Sequence, residues 1–276
     1  MGKTKIPWAD EVLNPVVGCS PCSPGCANCY AARVAHRLGQ NPATPQYAGL
    51  TRMGANGPEW TGEQRWLQHV WKKACASLAN VQAGTVVFIG SMADIFYNVG
   101  NNRWVWGHLA HLAYIRPHVE FVLVTKRVEN LLRFANWVVR KTHYSLPNIT
   151  GVATCCTQAE VDHNIPILFA APLAKRAVCL EPLLESVRLT SALAPGWDGD
   201  IRKKRPVPRL NWVVTGCESG ANRRHAETDW FRSLRDECVA AKVPFMLKQM
   251  EVAGRVVEMP ELDGKVWDQT PWGGRS

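Results

Sequence analysis

Three features of this sequence predict an α/β chain built as a partial or complete (β/α) barrel of TIM type. Short apolar runs rich in β-branched residues, such as Thr85–Ile89 (TVVFI) and Phe121–Thr125 (FVLVT), alternate with helix-length segments. Uniformly apolar strands are those buried on both faces, as in parallel sheets. Six or seven such units recur along 276 residues, the size range of a single α/β barrel. No internal repeat or low-complexity tract divides the chain, so residues 1–276 read as one domain with loop insertions near 39–60 and 191–209. A doubly wound open sheet is the alternative arrangement of the same units.

The elements follow in order. Leu13–Cys19 is a short apolar strand, and Ala27–Leu38 reads as a helix. Gly39–Pro58 is rich in Gly and Pro and reads as a loop, and Gly62–Leu78 as a helix. Strand Thr85–Ile89 precedes helix Arg103–Ile115, and strand Phe121–Thr125 precedes helix Val128–Val139. Strand Ile149–Thr154, helix Gln158–Ala170 and strand Ala177–Leu180 continue the alternation. The basic, Pro-rich segment Ser191–Arg209 interrupts it; strand Trp212–Thr215, helix Asp229–Ala241 and strand Pro244–Leu247 complete it. In a barrel the chemistry belongs at the C-terminal ends of the strands.

With 46% hydrophobic and 20% charged residues the chain has ample material for a core. No run approaches the ~18 apolar residues of a membrane-spanning helix, and MGKTKIPWAD lacks a signal peptide's apolar stretch. The expected location is therefore the cytosol, with no membrane partner. Disulfides are disfavoured there, so clustered cysteines point to metal or redox chemistry. Of the ten cysteines, Cys75, Cys179 and Cys238 read as small buried hydrophobes. A net charge of +9 favours a polyanionic partner, nucleic acid ahead of membrane, and some of the twelve tryptophans offer faces for bases.

The remaining signal is Gly18-Cys-Ser-Pro-Cys-Ser-Pro-Gly-Cys-Ala-Asn-Cys-Tyr30, directly after the first strand and so at the catalytic mouth. Two registers of three cysteines are open: Cys22, Cys26 and Cys29, or Cys19, Cys26 and Cys29. Three thiolates from one loop ligate three irons of a [4Fe–4S] cubane and leave the fourth open, as chelation of S-adenosylmethionine (SAM) requires. A four-cysteine zinc site is the alternative, but zinc knuckles usually place a dozen or more residues between CxxC pairs, and only three lie here.

These residues carry a resemblance. Asn14-Pro15, Gly18-Cys19, Ser23-Pro24-Gly25-Cys26 and Asn28-Cys29-Tyr30-Ala31 resemble the opening of a family of compact radical-SAM-type proteins of phages and bacteria, distantly similar to spore photoproduct lyase. Ser91-Met92-Ala93-Asp94 resembles its SMSD segment, Thr125-Lys126-Arg127 its TKR and Cys179-Leu180-Glu181-Pro182-Leu183-Leu184 its CEPLL. Glu218-Ser219-Gly220 matches ESG, and Lys248-Gln249 matches the closing KQ. The family's first cysteine corresponds to Cys19, so the resemblance implies Cys19, Cys26 and Cys29 as cluster ligands, with Cys22 an addition. Some phage members resemble radical SAM isomerases of DNA thymine hypermodification, which rearrange a glycine attached through the thymine methyl carbon. That implies a modified thymine base in DNA as substrate, an external electron donor, and the host cytoplasm for a phage-encoded member. The chain departs from the family where GVSVE becomes Gly151-Val-Ala-Thr-Cys-Cys156 and where GGESG becomes Gly216-Cys217-Glu218. Both departures put thiols at strand ends expected to face the site.

SAM brings a carboxylate, an amine, a sulfonium and an adenosine. Ser91 and Asp94 are placed to accept from the amine, with a helix N-cap as the other role for Asp94. Tyr30 is placed to flank the adenine. Lys126 is placed for the SAM carboxylate or a substrate anion. Glu181 and Glu218 end apolar strands, where a carboxylate is expected to be paired with a ribose hydroxyl, an ammonium or Lys126. Arg202, Lys203, Lys204 and Arg205, with Arg223 and Arg224 past ESG, follow strands and are expected to meet DNA phosphates around a flipped base. Two rival readings are a radical SAM enzyme of a small molecule or peptide, and a non-catalytic nucleic-acid-binding protein with a structural metal.

Overall fold

The computed structural model of the protein describes residues 2–97, 99–193 and 209–273. Its centre is a nine-stranded sheet laid down in chain order: β1 (Gly2–Lys3), β2 (Glu11–Leu13), β3 (Val86–Ile89), β4 (Glu120–Thr125), β5 (Ile149–Thr154), β6 (Lys175–Leu180), β7 (Trp212–Gly216), β8 (Phe245–Val252) and β9 (Arg255–Glu258). Strands β2 to β8 are parallel, each beside its predecessor. β1 and β9 flank them antiparallel.

Unbroken chain order separates this arrangement from a doubly wound sheet, in which strand addition reverses direction partway. It is the order of a barrel, but the barrel does not close: among the described residues β1 and β9 do not pair with each other. The complete form of the expected barrel is thus absent, and the reason lies at the edge. The chain turns back after Val252, and β9 takes the hydrogen-bonding edge of β8 that a further parallel strand would need.

The crossovers carry α1 (Tyr30–Gly39), α2 (Gln68–Ser77), α3 (Val99–Ile115), α4 (Val128–Thr142), α5 (Gln158–Ala170), α6 (Thr190–Leu193) and α7 (Thr228–Ala241). Because side chains alternate across a strand, each strand serves two cores. Val87 and Ile89, Phe121 and Leu123, and Phe245 and Leu247 pack in the large helix-side core. Their neighbours Val86 and Phe88, Val122, Val152, Ala177, Trp212 and Val214 form a second cluster on the opposite face, together with Trp8. Burial on both faces accounts for the uniformly apolar strand sequences.

Element boundaries shift where local chemistry intervenes. The expected strand Leu13–Cys19 splits into β2 and Val16–Val17, because Pro15 has no N–H for a ladder. The expected helix Gly62–Leu78 shortens to α2, since Arg65–Trp66 pairs with Val16–Val17 instead. Within the 39–60 insertion Thr51–Gly54 and Gly57–Trp60 form a hairpin. Most of the second insertion, with Arg202, Lys203, Lys204 and Arg205, lies outside the described residues. Among the described residues no helix is long and apolar enough to cross a membrane.

Candidate active site

The cysteine loop runs from the end of Val16–Val17 to the N-terminus of α1, which begins directly after Cys29. Gly18 makes the entry turn at φ 94°, and a Cβ there would collide with the Glu63 carbonyl. A short 3₁₀ turn, Pro24–Cys26, follows, capped by Ser23, whose Oγ accepts from the Gly25 N–H at 3.1 Å.

Two arginines that follow other strands of the sheet grip this loop. After β4, Arg127 donates to the Ser20 carbonyl at 2.7 Å and reaches the Cys19 sulfur at 4.0 Å, while pairing with Asp94 at 3.1 Å. After β7, Arg224 donates to the Pro24 carbonyl at 3.0 Å and pairs with Glu218. Glu218 in turn accepts from Asn28 Nδ2 at 2.7 Å, between the last two cysteines. Arg33 of α1 donates to the Ser219 carbonyl at 2.7 Å and completes the tie. Glu218 is only 4% exposed. Burial pushes its carboxyl up, but the hydrogen bonds from Arg224 and Asn28 outweigh it and hold the group below its usual range. Removing such a partner strands a buried carboxylate, at a cost of about 3 kcal/mol.

A cavity of about 210 Å³ opens where the parallel strands end, many times the volume a single water occupies. Cys19, Cys26 and Cys29 line it, as do Tyr30, Ser91, Asp94, Lys126, Glu181 and Glu218, so the structure brings every expected cluster, cofactor and catalytic residue to one cavity. Ile6, Trp8, Phe88, Val152, Trp212 and Val214 supply its apolar side. Cys22 is exposed and does not line the cavity. Burial first, then Asp94, pushes the Cys19 thiol up to about 11. Among the described residues no three His, Cys, Asp or Glu side chains converge to hold a single ion.

Several expected residues turn out to hold the scaffold. Both Asp94 oxygens contact Thr125 Oγ1, at 2.8 and 2.9 Å, and they also accept from the N–H groups of Phe96 and Lys126 and from Arg127. Asp94 therefore fastens the turn after β4 to the end of β3 instead of capping α3. Ser91 exchanges hydrogen bonds with Asn14 at 3.0 and 3.2 Å, and its carbonyl accepts from the Tyr30 hydroxyl at 2.8 Å. Glu181 has the ammonium partner expected for it, but from Lys248. Arg223 donates to Glu251 at 2.8 Å and to the Gly254 carbonyl at 2.6 Å. Both described arginines of the expected DNA rim, Arg223 and Arg224, thus have acceptors within their own chain.

Of the departure cysteines, Cys217 lines the cavity, whereas Cys155 and Cys156 are buried and do not. Cys156 packs instead beneath the cysteine loop, with Ser23 Oγ 3.9 Å from its sulfur. Cys179, read from sequence as core, also lines the cavity. The signal for it was the strand period: Cys179 and Glu181 are two residues apart and share a face. Arg33 carried no sequence signal, and Asn28 and the Arg127–Asp94 pair none beyond their place in the motifs.

The fold and site together define an open α/β sheet of barrel order with a cysteine-lined cavity at its strand ends. The chain belongs to the family described as protein of unknown function (DUF5131), whose model matches residues 3–271. No curated protein matches it. Among solved structures it is similar to a spore photoproduct lyase mutant with bound AdoMet and dinucleoside spore photoproduct, at 11% identity and a TM-score of 0.44. It is also similar to a second mutant of that lyase, at 12% identity and a TM-score of 0.44. Each alignment covers 92% of this chain and 68% of the other.

Proposed function

We propose that this protein is a radical SAM enzyme whose [4Fe–4S] cluster is held by Cys19, Cys26 and Cys29. The observation that carries the reading is that these three thiols line one cavity where the parallel strands end, with Cys22 outside it. A cubane spreads its three cysteine sulfurs over three irons, so the donor set suits it without converging on one point. Convergence is what the rival zinc site would require. The loop is already fastened by Arg127, Arg224 and Asn28, so little ordering remains for the cluster to impose. When bound, cluster and SAM supply a 5′-deoxyadenosyl radical that removes a hydrogen atom from an unactivated carbon. The protein's own part is to orient and to exclude water: Trp8, Phe88 and Trp212 keep the inner wall apolar, and the Glu181–Lys248 pair sets polar groups at its edge. Anaerobically prepared protein is expected to carry iron and acid-labile sulfide and, with a reductant and SAM, to form 5′-deoxyadenosine. Zinc without iron in such a preparation would refute the reading.

For the substrate we infer a modified thymine base within DNA, rearranged in an isomerase reaction fed by an external electron donor. The motif resemblance and the net charge of +9 support it, as does the apolar wall, which suits a planar base. With Arg223 and Arg224 held by Glu251 and Glu218, phosphate contact falls chiefly to Arg202, Lys203, Lys204 and Arg205. Replacing those four with alanine is expected to weaken duplex binding and to flatten its salt dependence by up to about one unit of slope per lost phosphate contact. Unchanged duplex affinity, or faster turnover of the free modified nucleotide than of DNA, would leave a radical SAM enzyme of small molecules.

A further inference from the structure

Three cationic side chains line the cavity: Lys126, Arg127 and Lys248. Two have carboxylate partners, Arg127 with Asp94 and Lys248 with Glu181. Lys126 is placed with equal care, since its N–H donates to Asp94 Oδ2 at 3.1 Å and both its sequence neighbours are bound to the same carboxylate. Yet its ammonium has no hydrogen-bond or ion-pair partner among the described residues. Cys26, Cys29 and Cys179 line the same cavity. A half-buried ammonium without a carboxylate implies an anion to be supplied.

We propose that this anion is the cluster itself, and that Lys126 is a positioning charge that raises the cluster's reduction potential. The inference rests on the radical SAM reading above. Cys26 and Cys29, two of the proposed ligands, line the same cavity as Lys126. A cubane with three thiolate ligands is anionic, and one added electron makes it more so. A fixed positive charge in a poorly screened site therefore favours the reduced form over the oxidised one, and net charge and exposure are among the properties that set such potentials. Arg127 and Lys248 are less able to do this, because Asp94 and Glu181 already offset their charge.

The test is a redox titration of the full-length, anaerobically reconstituted protein, with dithionite as the one-electron donor and no SAM present. The reduced cluster is followed by electron paramagnetic resonance. Lys126→Met is expected to shift the midpoint to lower potential by roughly tenfold in the reduction equilibrium, about 59 mV for one electron, at unchanged iron per chain. Lys126→Arg keeps the charge and should stay near the wild-type midpoint. Lys126→Gln serves as a second neutral variant should Lys126→Met fail to hold its cluster. A wild-type midpoint in both neutral variants, with SAM affinity lowered, would overturn the inference and give Lys126 to the SAM carboxylate. Wild-type protein that binds no iron would overturn the radical SAM reading and this inference with it; that failure is read on the unmutated chain and so is distinguishable.

Discussion

Replacing Cys26 or Cys29 with alanine is expected to leave anaerobically reconstituted protein without iron or acid-labile sulfide and without SAM cleavage. Cys19→Ala should do the same, whereas Cys22→Ala should keep the cluster. The two halves of this expectation have different grounds. Cys26 and Cys29 belong to both possible registers, and both line the cavity, so their loss removes a ligand on either assignment. Between Cys19 and Cys22 the local spacing favours Cys22, since Cys22-x3-Cys26-x2-Cys29 is the commoner radical SAM pattern. The geometry favours Cys19, which lines the cavity with Cys26 and Cys29 and is reached by Arg127 at 4.0 Å, while Cys22 is exposed outside it. Iron and sulfide per chain in the four variants decide the matter. Iron retained by Cys19→Ala and lost by Cys22→Ala would reverse the assignment.

The parallel sheet was legible in the sequence because strands such as Val86–Ile89 and Glu120–Thr125 are buried on both faces and so carry no polar alternation. Its openness was not, since the cause is the antiparallel β9, Arg255–Glu258, a mostly exposed strand with no apolar run to announce it. The site was legible at the level of strand ends: Ser91, Lys126, Glu181 and Glu218 each stand within two residues of a strand's last residue, and all line the cavity. What each residue does there was hidden, because it depends on partners distant in sequence. The sequence assigns Asp94 to the SAM amine or a helix N-cap and expects a partner for Glu218, but it does not name Arg127 and Arg224 as the residues that pair with them. The same pairing gives Arg224 an acceptor within its own chain. Paired charges are a property of tertiary placement, and spacing along the chain gives no sign of it.

Gly25→Ala is expected to lower the melting temperature and to deplete iron, and a second substitution, Cys156→Ala, is expected to restore much of both. Gly25 is buried in the 3₁₀ turn directly before Cys26. Its backbone is ordinary, so the addition of a methyl group introduces no dihedral strain and tests packing alone. That methyl would overlap the Cys156 sulfur, with Pro182 Cδ at 3.3 Å and Cys156 Cβ at 3.4 Å. Cys156 has little room to retreat, because its N–H donates to Glu160 Oε2 at 2.6 Å and its carbonyl accepts from the Leu184 N–H at 3.0 Å. Overpacking of this kind costs about 1–3 kcal/mol, roughly 2–6 °C in a chain of this size. Whichever side gives way, the clash falls one residue before Cys26, and displacement there carries Cys26 out of line with Cys19 and Cys29. Removing the sulfur in Cys156→Ala leaves the Cβ contact at 3.4 Å, a distance a methyl group tolerates, and forfeits only the long contact from Ser23 Oγ at 3.9 Å. The two substitutions should therefore couple strongly in a double-mutant cycle, read in both melting temperature and iron per chain. Additive effects would show that Cys156 is not the wall against which the cluster loop is set. Wild-type iron in Gly25→Ala alone would show that the loop can hold its three thiols without that wall.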